Sequence, residues 1–162
     1  MTLPTFLGIG VPKAGTTWLY ELLATHPEVY LPTKVKDIRF FNHFYDLDID
    51  WYQNFFPSDI EAAIYKAIGE ITVHYLYCEE CPQRITSHLE RPKLLLMLRN
   101  PADRIWSHYK HRARLSNYQG SFEQFLEDHP EAIRFSFYSS HIKRYQTYVD
   151  PDQLLILLFD RI

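Results

Sequence analysis

The sequence is short of the features that would mark a disulfide-framed, membrane-spanning or polyanion-binding protein. Only two cysteines, Cys78 and Cys81, occur in 162 residues, too few for a disulfide scaffold. They form a single C-x-x-C, half of a structural zinc site, with no second close pair. A redox motif needs a thioredoxin-like strand–helix context, to which Pro82 alone adds little, so ordinary reduced thiols are expected. No apolar run approaches the roughly 18 residues of a membrane span. The N-terminus lacks a basic segment followed by a signal-like apolar stretch, so a cytoplasmic protein is expected. A formal charge of -3 gives no general attraction to nucleic acid or to an anionic membrane. The dinucleotide loop G-x-G-x-x-G is absent, which argues against NAD.

Aromatic residues, by contrast, are abundant: 12 Tyr, 11 Phe and 3 Trp. They supply large apolar area with few torsions to fix, enough to pack one core and leave a surplus for a cleft. The length suits a single domain over residues 1–162. Charge is uneven. From Arg91 to Arg114 seven Arg or Lys residues face one acid, Asp103, which reads either as a solvated helix face or as a local wall for an anionic ligand.

Phe6–Gly10 reads as a buried strand, and Trp18, Leu19, Leu22 and Leu23 as the apolar stripe of a helix stopped at His26-Pro27. Val29 to Arg39 reads as extended, and Trp51, Tyr52, Phe55 and Phe56 as a short helix ending before Pro57. Ala67–Val73 is a further strand, followed by a helix from Pro82 to Leu89. Leu94–Leu98 lacks polar alternation and reads as a strand buried on both faces. Ile105, Trp106 and Tyr109 mark a helix, Ser121 caps the next, Ile133–Tyr148 forms one longer helix, and Leu154–Phe159 is a last buried strand. Alternating strands and helices imply an α/β, P-loop-like three-layer fold, with a central mostly parallel sheet and helices on both faces. Ligands collect beyond the carboxyl ends of such strands, where both Gly10–Gly15 and Arg99 fall.

The segment Gly10-Val11-Pro12-Lys13-Ala14-Gly15-Thr16-Thr17 carries the sharpest signal. Backbone N–H groups at a strand–turn–helix junction point into a common space and bind phosphate oxygens. The glycine spacing matches the Walker loop G-x-x-x-x-G-K-[ST], but the lysine is Lys13, inside the turn, and Thr16 follows Gly15. No acidic strand end stands ready for Mg²⁺. A second segment, Arg99-Asn100-Pro101 through Ser107, puts an arginine at a strand end and a hydroxyl eight residues later.

In these two segments the chain resembles the sulfotransferases that use 3′-phosphoadenosine 5′-phosphosulfate (PAPS), above all the bacterial and Golgi-type carbohydrate branch with the heparan sulfate sulfotransferase domains. The resemblance implies that Pro12, Lys13, Ala14, Gly15, Thr16 and Thr17 form the loop for the 5′-phosphosulfate. Lys13 would meet the oxygen on which charge grows as the S–O bond breaks. Arg99 and Ser107 would hold the 3′-phosphate. Lys36-Asp37-Ile38-Arg39-Phe40-Phe41 resembles the family's K-E-x-x-F-F, with Asp37 at the place of the proposed general base. Gly69-Glu70-Ile71-Thr72-Val73-His74-Tyr75-Leu76 resembles G-E-K-S-P-x-Y-L, with Ile71 in place of lysine and Val73 in place of proline. Lys36, Phe40 and His74 are the acceptor-side candidates. Asp37 also suits a surface ion pair, His74 a structural histidine, and Arg104, His108 and His111 surface or packing roles.

The implied reaction transfers a sulfuryl group from PAPS to a hydroxyl or amine of a carbohydrate or small alcohol, with PAP released and no metal required. A Mg²⁺-dependent P-loop kinase or NTPase is one alternative, and a non-catalytic nucleotide-binding or interaction protein another. Family members continue past the counterpart of Asp160-Arg161-Ile162 into a basic loop over the nucleotide. The domain is therefore expected to be incomplete there, with a second copy of the chain as one possible cover for that edge.

Overall fold

A computed structural model describes residues 2–162. The chain opens with strand β1 (Phe6–Gly10), every residue of which is buried, and passes through a tight loop into helix α1 (Thr16–Ala24). A two-residue strand β2 (Val29–Tyr30), helices α2 (Ile49–Gln53) and α3 (Asp59–Ala62), and strand β3 (Ala67–Ile71) follow. Helix α4 (Cys81–His88) leads to β4 (Lys93–Leu98), α5 (Pro101–Leu115), α6 (Phe122–Asp128), α7 (Pro130–Arg134), α8 (Tyr138–Gln146) and β5 (Leu154–Leu158).

The five strands form one sheet in the order β2-β3-β1-β4-β5, and every pairing is parallel. From β1 the chain goes first to the edge strand β2, returns inward to β3 beside β1, then crosses to the other side through β4. That reversal leaves a crevice at the carboxyl ends of β1 and β4, where the phosphate-type loop and Arg99 begin. Leu7, Ile9, Ile71, Leu94, Leu96 and Met97 fill the centre of the sheet. Most of the aromatic surplus packs beside it. Phe40 stacks on Tyr52 at 4.6 Å, and Phe41 meets Tyr75 edge-on at 5.6 Å.

Three sequence expectations change. Trp18 and Leu22 lie on the outer side of α1, where Trp18 is 44% exposed, while Thr16 and Leu19 face inward. The segment Ile133–Tyr148 is not one helix but the end of α7 and all of α8, because Ser136 and Phe137 break it. Against this break packs Arg104, expected at the surface but fully buried. Its Nε donates to Ser136 Oγ at 2.8 Å and its Nη2 to the Ala132 carbonyl. The third change concerns β5, which is largely exposed rather than buried, with Leu155 at 53%. It is the edge strand, with β4 its only neighbour.

Helix α3 has no apolar stripe, yet Ser58 and Glu61 form a reciprocal capping box at its start, and Ser58-Asp59-Ile60-Glu61 was the available signal. Within the described residues, no helix is long and apolar enough to cross a membrane.

Candidate active site at the β1 and β4 strand ends

Lys13 and Gly15 both adopt left-handed backbone, with φ of 70° and 82°. Gly15 is required twice over. That φ disfavours a side chain, and a Cβ would lie 2.4 Å from the Phe159 ring. The turn is held from within by Val11 N–H to the Met97 carbonyl at 2.9 Å and Ala14 N–H to the Val11 carbonyl at 3.3 Å. Among the described residues, the N–H groups of Lys13, Gly15, Thr16 and Thr17 donate to no protein acceptor. Four free donors at a helix start form a cradle for an anion.

The Lys13 side chain has no carboxylate partner among the described residues. Partial burial lowers its pKa, and the positive charges of Lys36 and Arg114 lower it further. Lys36 reaches the same place from the irregular segment after β2. Its Nζ donates to Thr17 Oγ1 at 3.0 Å and lies 3.4 Å from Thr16 Oγ1. Burial also lowers the Lys36 pKa, against the opposing pull of Asp37 and Glu21. Three cations therefore converge with little negative charge to balance them.

Arg99 leaves the end of β4 and turns toward this loop, its Nη1 lying 3.4 Å from the Lys13 carbonyl oxygen. Its own carbonyl accepts from the Tyr138 phenol at 3.0 Å, and the guanidinium sits over the Phe159 ring at 5.1 Å. Arg99 Nε is buried without a hydrogen-bond partner. A guanidinium offers a planar fork of donors suited to an oxyanion. Asn100 caps α5 by accepting from the amides of Ala102 and Asp103, with Pro101 at the first helical position. Ser107 lies half-buried on the second turn of this helix, with its hydroxyl unpaired among the described residues.

Asp37 follows Lys36 and is fixed by one oxygen, Oδ1, which accepts from Val73 N–H at 3.0 Å. His74 is its neighbour. Burial lowers the His74 pKa, Asp37 raises it, and Arg39 lowers it. Parallel pairing of β3 with β1 brings Val73 and His74 to the same edge as the loop.

The sulfotransferase domain model matches residues 3–162. The chain belongs to this sulfotransferase family. It is 33% identical to the human bifunctional heparan sulfate N-deacetylase/N-sulfotransferase 3 and 35% identical to the bovine N-deacetylase/N-sulfotransferase 2. Each match takes in 96% of this chain but only 20% of the relative. A solved sulfotransferase from Alicyclobacillus acidocaldarius superimposes with a TM-score of 0.85 at 28% identity, over 99% of this chain and 75% of that one. The sulfotransferase domain of the curacin biosynthetic pathway shares the fold, with a TM-score of 0.64 at 12% identity, over 99% and 69% of the two chains. The kinase or NTPase alternative finds no support in these relatives.

The sulfotransferase fold thus brings Lys13, Thr16, Thr17, Lys36, Asp37, His74 and Arg99 to one sheet edge. Phe40 does not belong with them. At 1% exposure it is locked between Tyr52 and Phe41 in the aromatic core and reaches no cleft. Sequence reasoning missed Arg114, which the last turn of α5 carries toward Lys13. The basic run was visible, but not which of its cations faces inward. It also missed Phe159, the apolar plate beneath Gly15 and Arg99. Cys78 and Cys81 are free thiols. Among the described residues, no cluster of three His, Cys, Asp or Glu side chains is placed to hold a metal ion.

Proposed function

We propose that this sulfotransferase domain uses PAPS to sulfate an amine or hydroxyl of an acceptor, releasing PAP. The observation that carries the reading is the approach of Arg99 to Lys13, 3.4 Å from guanidinium to carbonyl. It joins two anion-binding elements from different strands at one crevice. A nucleotide with phosphate on both its 3′ and 5′ sides needs two such sites, and the Arg99 guanidinium and the four free loop amides fit it.

Pro12, Lys13, Ala14, Gly15, Thr16 and Thr17 would hold the 5′ side, with Arg99 and Ser107 on the 3′-phosphate. PAPS, when bound, supplies the sulfuryl group and a phosphate leaving group. Lys13 stabilises negative charge as it grows on the leaving oxygen, an interaction stronger in the transition state than before it. Lys36, bonded to Thr17, adds positive charge on the same side. Asp37 takes the proton of the acceptor, its carboxylate aimed by the Val73 amide. His74, beside Asp37, lines the acceptor side. Two relatives carry heparan sulfate in their names, which supports a carbohydrate acceptor here.

Incubation with radiolabelled PAPS and a panel of amino- and hydroxyl-bearing glycans tests the reading. Label should reach an acceptor with wild-type protein and not with Lys13→Ala. A folded wild-type protein that binds ATP in preference to PAP would overturn it.

A further inference from the structure

Glu70 is completely buried at the end of β3, yet no cation pairs with it among the described residues. Its Oε2 accepts from Thr72 Oγ1 at 2.8 Å and its Oε1 from the Tyr52 phenol at 3.3 Å. The Thr72 hydroxyl has a second duty. Thr72 Oγ1 accepts from Arg39 N–H at 3.1 Å, and the Tyr75 phenol oxygen accepts from Phe41 N–H at 3.4 Å. Both amides belong to the segment that carries Lys36 and Asp37.

That segment is strained. Arg39 has φ of 61°, a left-handed conformation that costs a non-glycine residue about 1 kcal/mol or more. Such a turn persists only where its surroundings fix it. A hydroxyl carries one proton, so a hydroxyl donating to Glu70 must turn its lone pairs outward. Those lone pairs meet the Arg39 amide. We propose that Glu70 is a positioning residue that, through Thr72, locks the Arg39 turn and so places Asp37 and Lys36 at the crevice.

Burial pushes the Glu70 pKa up to about 8, so the carboxyl keeps its proton through neutral pH. Once Oε1 carries that proton the 3.3 Å contact with Tyr52 reverses, the phenol oxygen accepting from it, while Oε2 still accepts from Thr72. A glutamine can reproduce that arrangement, with its carbonyl toward Thr72, whereas a leucine of similar size cannot.

The inference rests on the proposed roles of Asp37 and Lys36, but its test does not need turnover. Amide hydrogen exchange followed by NMR reads the turn directly. In Glu70→Leu, exchange at the Arg39 amide should accelerate at least tenfold, and Glu70→Gln should restore most of the protection. Thr72→Val should expose Arg39 and spare Phe41, while Tyr75→Phe should do the reverse. This selectivity separates positioning from a general loss of stability, and it serves equally if the leucine variant fails to fold. In a sulfation assay, Glu70→Leu should lower kcat about tenfold with PAP affinity within twofold of wild type. Unchanged exchange at the Arg39 amide in Glu70→Leu, or equal acceleration at both amides in each single-hydroxyl variant, overturns the inference. Selective exchange changes in a protein that sulfates nothing would keep the inference about the turn and reject the sulfuryl-transfer reading instead.

Discussion

The Lys36 ammonium donates to the Thr17 hydroxyl at 3.0 Å, bridging the segment of the candidate base to the first turn of the phosphate-type loop. Lys36 also depresses the Lys13 pKa. Replacing it with methionine removes that repulsion, so the Lys13 pKa should rise. The alkaline limb of PAP binding should then move to higher pH, while affinity at neutral pH falls about tenfold through the lost cation. Titrations of PAP against Lys36→Met across the alkaline range check both signs, and an alkaline limb shifted downward would contradict the pairing.

Asp37 is held by a backbone amide rather than by a cation, so a neutral replacement of the same shape should leave the loop in place. Asp37→Asn should reduce kcat by about 10²–10⁴, the usual contribution of a positioned general base, with PAP affinity within twofold. Asp37→Glu lengthens the side chain by one methylene and should cost about tenfold, because catalytic placement tolerates little displacement. Steady-state kinetics alongside PAP titrations separate these effects. Equal losses in kcat and PAP affinity would assign Asp37 to binding instead.

The buried Glu70 gives stability a pH slope of known sign. Its folded pKa, about 8, lies above the ordinary value of 4.5. Between those two pH values the unfolded chain has lost the proton and the folded chain still holds it. Stability therefore falls as pH rises through this window and levels off above it. Against Glu70→Gln, which carries no such proton, wild type should lose on the order of 4 kcal/mol between pH 5 and pH 9. Urea unfolding of both proteins at several pH values reads the difference, and parallel curves would show that the carboxyl titrates normally.

Arg104 is a buried cation satisfied by neutral oxygens of α7 and the turn after it. Arg104→Ala removes two buried hydrogen bonds, leaving only the Ser136 hydroxyl on the Ala132 carbonyl, and opens a void, and should destabilise the protein by about 3 kcal/mol. Thermal unfolding checks it. A change below about 1 kcal/mol would mean that the α7–α8 break is set by something other than this guanidinium.

The parts of the site that were legible in the sequence are those written in short runs. Lys13, Gly15, Thr16 and Thr17 lie behind an apolar strand, and Arg99 stands at the end of another, so local pattern and sheet topology together placed them. Asp37 and Lys36 were reachable by resemblance, though the bond from Lys36 to Thr17 was not. Contacts between distant segments left no such trace. Glu70 looks like any strand glutamate until Tyr52, Thr72 and Tyr75 close around it, and Arg104 like any helix arginine until Ser136 and Ala132 accept from it. Phe40 failed as an acceptor contact for the same reason. Both Phe40 and Phe41 are sealed in the core by partners such as Tyr52, set by the fold. The exposure of β5 follows from its place at the sheet edge, which its apolar sequence does not encode.

The central claim is that Lys13 and Arg99 grip opposite phosphates of one nucleotide. Calorimetric titration of PAP, with chelator present, into wild type, Lys13→Ala, Arg99→Ala and the double variant tests it most directly. PAP should bind wild type at least tenfold more tightly than ATP does, and each single substitution should weaken PAP at least tenfold. A 1:1 complex whose affinity neither substitution changes, or a preference for ATP with Mg²⁺, would contradict the account.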